Sequence, residues 1–222
     1  LINGIVVPGQ LDRSTRPLTL GYNVRNESDK QIWGYNTDIA FNLRGGKGND
    51  LLSYQSEDPR INTANWKAIR AGVNYFKSFS SGWLWSARGQ LQYSGDALIS
   101  GEQFGLGGAY SVRGTGERAI SGDRGFLIST ESTTFELLPG LRALAFIDAG
   151  WLRNRDSVLN PNKPPKDQLA SAGLGLRYTT ASFALSADWG RIVKGSVLPS
   201  PAGSGIPQTG DKKLHINLTL RF

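Results

Sequence analysis

The sequence predicts an all-β fold, a transmembrane antiparallel β-barrel, of which this chain supplies about 9–10 strands. Three observations carry the prediction. Segment after segment alternates apolar and polar side chains, the period of 2 that gives a strand one greasy face and one wet face. These segments run to about 9–11 residues, the length a tilted strand needs to cross a bilayer. The connections between them alternate short and long, as in outer-membrane barrels with tight periplasmic turns and long external loops.

In chain order, Leu1–Val7 reads as the end of a tenth strand. Leu18–Arg25 sets Leu18, Leu20, Tyr22 and Val24 outward, and Tyr35–Arg44 sets Ile39, Phe41 and Leu43 against Asp38, Asn42 and Arg44. Lys67–Lys77 turns Ile69, Ala71, Val73 and Tyr75 outward. Trp83–Tyr93 turns out Trp83, Trp85, Ala87, Leu91 and Tyr93, with Ser86, Arg88, Gln90 and Gln92 inward. Gly125–Leu137 is less regular and carries Glu131 on its inner phase. Leu141–Trp151 is mostly apolar, and Asp148 shares a phase with Arg142, Phe146 and Gly150. Ser171–Tyr178 places Leu174, Leu176 and Tyr178 opposite Ser171, Gly173, Gly175 and Arg177. Ser182–Trp189 alternates likewise, with Ser186 and Asp188 inward. Leu214–Phe222 alternates without a break, sets His215 inward and closes on the aromatic.

The short connections fall near Asn26–Ile32, Ser78–Gly82, Leu138–Gly140 and Thr179–Ala181. The long ones are Gly45–Asn65, Ser94–Arg124, Leu152–Leu169 and Arg191–Lys213, rich in structure breakers such as Asn160-Pro161-Asn162-Lys163-Pro164-Pro165. A soluble β-sandwich also alternates. It does not alternate its loop lengths so regularly, and its core face is not answered by arginine on strand after strand.

Composition agrees with the barrel and hides it from a hydropathy scan. Only 39% of the 222 residues are hydrophobic, the mean hydropathy is −0.30, and no stretch approaches about 18 consecutive apolar residues, so no transmembrane helix is expected. In a barrel only alternate residues meet lipid, which keeps each strand near neutral. The 28 glycines and 10% aromatics suit tightly packed strands with interfacial Tyr and Trp. Cysteine is absent, which excludes disulfides and thiolate metal sites. Methionine is absent too, and the opening Leu1-Ile2-Asn3 has no signal-peptide character, so the chain reads as processed or internal. The net charge of +7 raises nucleic acid as a partner. Arg25, Arg44, Arg70, Arg88, Arg177 and Arg221, however, each fall on the polar phase of a different strand. Spread that way they line a lumen, and nucleic acid is not expected as a partner.

The longest loop holds Gly105-Leu106-Gly107-Gly108-Ala109-Tyr110-Ser111-Val112-Arg113-Gly114, followed by Thr115-Gly116-Glu117-Arg118. Phe146-Ile147-Asp148-Ala149-Gly150 comes two strands later. Asp148 faces inward, and the loop is long enough to reach it from outside. Arg113 supplies the reaching cation, and Gly114 allows the tight turn a loop tip requires. An arginine fork on a shielded carboxylate would pin the loop, since removing one partner of a fully buried pair costs roughly 3–5 kcal/mol. The bland alternative is a solvated loop arginine and an unrelated wall aspartate.

An enzyme is not expected. His215, the one histidine, shares the inner phase with Ser186 and Asp188, a triad on paper. No nucleophile elbow or helix N-terminus is available to supply oxyanion donors. No cofactor is expected either: no residues have metal-ligand spacing, and Gly105–Gly108 follows no strand-to-helix unit.

Both motifs, with Asp123-Arg124-Gly125-Phe126 through Glu131 and the terminal Phe222, resemble the BamA-like outer-membrane translocase superfamily, and within it the TpsB transporters of two-partner secretion. That family shares a Val-Arg-Gly-aromatic tip on a lid loop that folds back into the barrel, and a Phe-x-Asp-x-Gly pattern on an inner wall. Thr115 stands where the family usually has Tyr or Phe. The resemblance implies that residues 1–222 are the C-terminal portion of a barrel of about sixteen strands, with a lid loop at about 94–125. POTRA domains and the early strands would lie outside this chain. It implies a lid-loop motif of Val112, Arg113 and Gly114, a wall motif of Phe146, Asp148 and Gly150, Glu131 as a second acceptor, and Phe222 as a C-terminal barrel-assembly signal.

The implied function is a protein translocation pore of the bacterial outer membrane, secreting a large unfolded TpsA-like exoprotein: an adhesin, hemolysin or contact-dependent toxin. Folding of that partner outside would drive export without nucleotide. Outer-membrane lipid, lipopolysaccharide and the barrel assembly machinery are the other partners implied. The competing functions are a passive porin or solute channel and a BamA-type outer-membrane insertase.

Overall fold

The computed structural model describes residues 11–200 and 204–221. Leu1–Val7 and Phe222, read as a strand end and an assembly signal, lie outside the described residues. The strands are β1 (Pro17–Ser28), β2 (Gln31–Asn42), β3 (Lys67–Ser78), β4 (Leu84–Tyr93), β5 (Phe104–Leu106), β6 (Ile120–Gly122), β7 (Arg124–Thr133), β8 (Leu141–Arg153), β9 (Lys166–Thr179), β10 (Phe183–Lys194) and β11 (Lys212–Leu220). Nine of them form one antiparallel sheet in the order β1-β2-β3-β4-β7-β8-β9-β10-β11, while β5 and β6 pair separately. Each strand of the large sheet is therefore bonded to its sequence neighbour, except that the β5–β6 unit is inserted between β4 and β7. Among the described residues β1 and β11 each have one partner, so these strands form an arc of wall and do not close on themselves.

The outward phase behaves as a lipid face. Leu18, Leu20, Ile39, Ile69, Val73, Leu91, Ile128, Ile147, Leu174, Leu176, Leu214, Ile216 and Leu218 are all exposed, which a soluble sandwich would not tolerate. Aromatic side chains bound this face at both ends. Trp33–Tyr35, Tyr75–Trp85, Trp83–Phe135 and Tyr178–Phe183 pair beside the short turns, the first stacked and the others tilted or edge-to-face. Phe126 packs on Trp151 at the other end, where Arg124 and Lys212 lie over Tyr93 and Trp189. Two such bands mark the two interfaces of a bilayer.

Several expected boundaries need correction. β2 begins at Gln31 rather than Tyr35, because only Asp29 and Lys30 are needed to turn it back on β1. β9 begins at Lys166 rather than Ser171, and β10 runs to Lys194 rather than Trp189. Beyond the membrane both faces meet water or loop, so the period of 2 fades while the backbone ladder continues. β7 stops at Thr133, and Phe135, Leu137 and Leu138 belong to the turn. Arg44 and Arg221 lie past the ends of β2 and β11, so two of the six arginines assigned to a lumen wall are not on strands.

The long loops are built, not slack. Residues 43–66 carry a short helix, α1 (Leu51–Gln55), whose first turn is capped by Asp50 accepting from the Ser53 N–H at 2.8 Å. Tyr54, Ile61, Ala64 and Trp66 of this loop bury a core with Ala97, Leu98 and Ile99, just past the end of β4.

Candidate functional site: the lid loop and its seat

Residues 94–123 leave β4, form the β5–β6 hairpin and return to β7. The tip is held by three layers of contact. The outermost is apolar: Leu106, Val112 and Ile120 of the lid pack with Leu127, Leu152, Leu169 and Ile192 from the inner face of β7–β10. The inner phase is thus not polar along its whole length. Leu152 and Leu169 sit on stretches that read as loop, where no alternation flagged them.

Below this layer lies the Arg113 fork. Its Nε donates to Asp148 Oδ2 at 2.9 Å and its Nη2 to Oδ1 at 2.9 Å, a bidentate pair. The Arg113 backbone N–H adds a third bond to Oδ2 at 3.1 Å. Its Nη1 donates to Glu131 at 2.8 Å, and the guanidinium lies 3.5 Å over the ring of Phe146. Asp148 is fully buried, so a carboxylate here needs its bonds met. Ser129 Oγ donates to it at 2.7 Å and Ser171 Oγ reaches it at 3.4 Å. Register explains the pair: Ser129, Asp148 and Ser171 sit side by side on β7, β8 and β9. The inner phase of both serines is visible in the sequence, but their shared row with Asp148 is not.

The third layer is close backbone approach. Gly114 has φ +96, a left-handed conformation that favours glycine. A Cβ on Gly114 would meet the Gly190 carbonyl carbon at 2.9 Å, and one on Gly190 would meet the Gly114 nitrogen at 2.7 Å. The Gly114 N–H donates to His215 Nε2 at 3.2 Å. Thr115, in the aromatic's usual place, is buried; its Oγ1 lies 3.1 Å from the Val112 carbonyl and accepts from the Gly108 N–H at 3.2 Å. It closes the tip by hydrogen bonds in place of ring packing. On the wall, Gly150 leaves the space that Leu106 fills and Gly173 the space that Phe146 fills.

A second ion pair continues the network. Arg177 grips Asp188 through two bonds of 2.7 and 3.0 Å and stands 3.7 Å from Glu131. Asp188 is held by Arg177, and His215 Nε2 accepts from the Gly114 N–H. Beneath the tip opens a cavity of about 1000 Å³, lined among others by Arg25, Arg88, Arg177, Glu131 and Asn217.

A separate cluster ties the lid's root, and sequence inspection missed it. Arg60 has no exposed side-chain surface and bridges Asp58 (Nη2–Oδ2 2.8 Å) to Asp123 (Nη1–Oδ2 2.9 Å). It also donates to the Arg155 carbonyl at 2.9 Å. Asp123, fully buried, accepts from the backbone N–H groups of Leu98 and Arg155 as well. Both ends of the lid are thereby fastened to loops 43–66 and 154–165. Burial alone would raise the Asp58 carboxyl, yet hydrogen bonds from the Arg60 side chain and backbone hold it below its ordinary value of 3.8. Lys163 reaches into the β5–β6 hairpin, donating to Gln103 Oε1 at 2.6 Å and Ser121 Oγ at 2.9 Å, and burial pushes its ammonium below its ordinary value.

The structure therefore brings Arg113, Gly114, Phe146, Asp148, Gly150 and Glu131 into one assembly, with Val112 in the apolar layer beside it. Known proteins carry the same fold. The outer membrane transporter CdiB of Dickeya dadantii (strain 3937) is 28% identical over 161 residues, 69% of this chain and 27% of that protein. The solved structure of CdiB from Escherichia coli superposes with a TM-score of 0.73 at 19% identity, covering 98% of this chain and 38% of that one. BamA from Haemophilus ducreyi, lacking POTRA domains 1–3, superposes at 0.61 with 17% identity, over 91% of this chain and 42% of that one. The chain thus spans about a quarter of the length of that Dickeya relative (27%). The family model described as haemolysin secretion/activation protein ShlB/FhaC/HecB matches residues 12–178, three quarters of the sequence, and the chain belongs to that family.

Proposed function

We propose that this chain is the lid-bearing wall of an outer-membrane pore that exports a secreted partner exoprotein, and that the Arg113–Asp148 fork latches the lid. One observation carries the assignment: the tip of a loop folded back onto the inner face of the wall donates three hydrogen bonds to one fully buried carboxylate there. A passive porin needs an open lumen, whereas here a packed loop occupies the inner face of β7–β10. Family membership and the CdiB relative favour a transporter over an insertase, although the BamA fold is shared. The exported partner is a large exoprotein that crosses unfolded, such as an adhesin, hemolysin or contact-dependent toxin. The pore acts as a conduit without catalytic or cofactor chemistry of its own.

The charge swap tests the latch in the intact protein. Arg113→Asp and Asp148→Arg each strand a buried charge, so each should lower secretion at least tenfold, the equivalent of about 1.4 kcal/mol. The double exchange should recover part of it. Secretion that survives both single changes rules the latch out.

A further inference from the structure

The row of side chains through Asp148 extends two strands further than the latch uses. Asn74, Arg88, Ser129, Asp148 and Ser171 are successive cross-strand partners on β3, β4, β7, β8 and β9. Arg88 faces the cavity beneath the lid, and among the described residues it takes no part in an ion pair. Its Nε is buried and has no hydrogen-bond partner. The charged groups of the fork itself are matched: Arg113 on Asp148 and Glu131, Arg177 on Asp188. One guanidinium is thus held unpaired beside a site that is already fully served.

The closed arrangement explains the other partners but not this one. Once the lid tip withdraws, Arg113 leaves with it. Asp148, buried between two serines that supply only neutral donors, then has no cation, and Glu131 loses its closest one. Arg88 is placed to replace it. Glu131 pairs with Ser86, which makes it the diagonal neighbour of Arg88 at about 7–8 Å, within reach of a long side chain. Asp148 is two strand spacings away, about 10 Å between Cα atoms, a gap that an arginine and an aspartate span together. Only Ser129, small and itself a hydrogen-bond donor, lies between.

We propose that Arg88 is the exchange cation of the gate: it stays unpaired while Arg113 is seated and moves onto Glu131 and Asp148 when the lid tip leaves. The idea rests on the reading of the tip as a releasable latch. A gate whose anion is served in both positions has two stable states, whereas an anion abandoned in the open state would pull the lid straight back. Arg88 also repels Arg113 in the closed state, so both actions favour opening.

Single-channel recording of the intact protein in planar lipid bilayers measures the fraction of time the pore conducts. Arg88→Gln should lower that fraction about tenfold, within the usual range of coupling between sites, and Arg88→Lys should restore most of it. In an Asp148→Asn background the Arg88→Gln change should have little further effect, a dependence that general damage to the wall would not show. Slower migration after heating on gels verifies that each variant still forms a barrel. Unchanged or raised opening in Arg88→Gln, with Arg113→Gln opening the pore as the latch requires, overturns the exchange alone. If Arg113→Gln also leaves opening unchanged, the latch fails and takes the exchange with it.

Discussion

Arg113 and Arg60 both grip the lid loop, one at its tip and the other at its root, with carboxylates at nearly equal distances. Their surroundings differ. The Arg60 side chain is fully buried with Asp58 two residues away, and Asp123 is equally dry and further bonded to two backbone N–H groups. The Arg113–Asp148 pair itself is nearly as dry, at 6% and 0% exposure, but the second acceptor of Arg113, Glu131, keeps 23%, and a cavity opens directly below. A third cation, Arg177, already stands within 3.7 Å of Glu131. Dry, local and backbone-braced ion pairs are costly to break because nothing replaces the lost partner. Pairs at the edge of a wet cavity, with other cations nearby, part more easily. The same chemistry thus makes a fixed hinge in one place and a releasable catch in another.

The largest expected effect lies at the hinge. Arg60→Ala leaves two buried aspartates uncompensated, and the intact protein should lose about 3–5 kcal/mol of stability in its external loops. Hydrogen exchange should then rise across residues 94–103 and 154–165, with the strands of the wall unchanged. Arg113→Gln should be milder, because Glu131 retains Arg177 and water can enter from the cavity; its exchange should rise at 107–118 and leave the root protected. Equal loosening of root and tip in both variants would erase the distinction between them.

A smaller effect is expected from pH, and its sign follows from Asp58. The folded state holds that carboxyl below its ordinary value of 3.8, so its contribution is full above that value and is lost as pH falls through the folded one. Protection at the root should accordingly decline only in strong acid. Loss of root protection between pH 5 and pH 7 would mean that another group governs it.

How much of this was legible follows from where periodicity operates. The lipid-facing phase of β3, β4 and β11 stands out in the sequence because hydrocarbon on one side and water on the other enforce alternation. The inward placement of Glu131 and Asp148 follows from the same rule. Above the membrane that constraint lapses, so Leu152 and Leu169 look like loop although they seat the lid's apolar layer. The serines flanking Asp148 were hidden because register between β7, β8 and β9 depends on turn geometry that no single strand encodes. Arg60 and Asp123 were hidden for a related reason: they are 63 residues apart and meet only because two external loops fold onto each other. Thr115 departs from the aromatic that the resemblance leads one to expect, and only the structure shows the hydroxyl bonds that take the ring's place.

Because the chain has no cysteine, single thiols can report on the two grips directly. Ser171→Cys places one beneath the latch, where the native residue has no exposed surface, and Ala97→Cys places one at the root, where exposure is 2%. An impermeant thiol reagent added outside cells should modify residue 171 only while the partner exoprotein is being exported, and residue 97 should stay protected throughout. If both positions remain protected during export, or both open together, the lid does not swing from a fixed root.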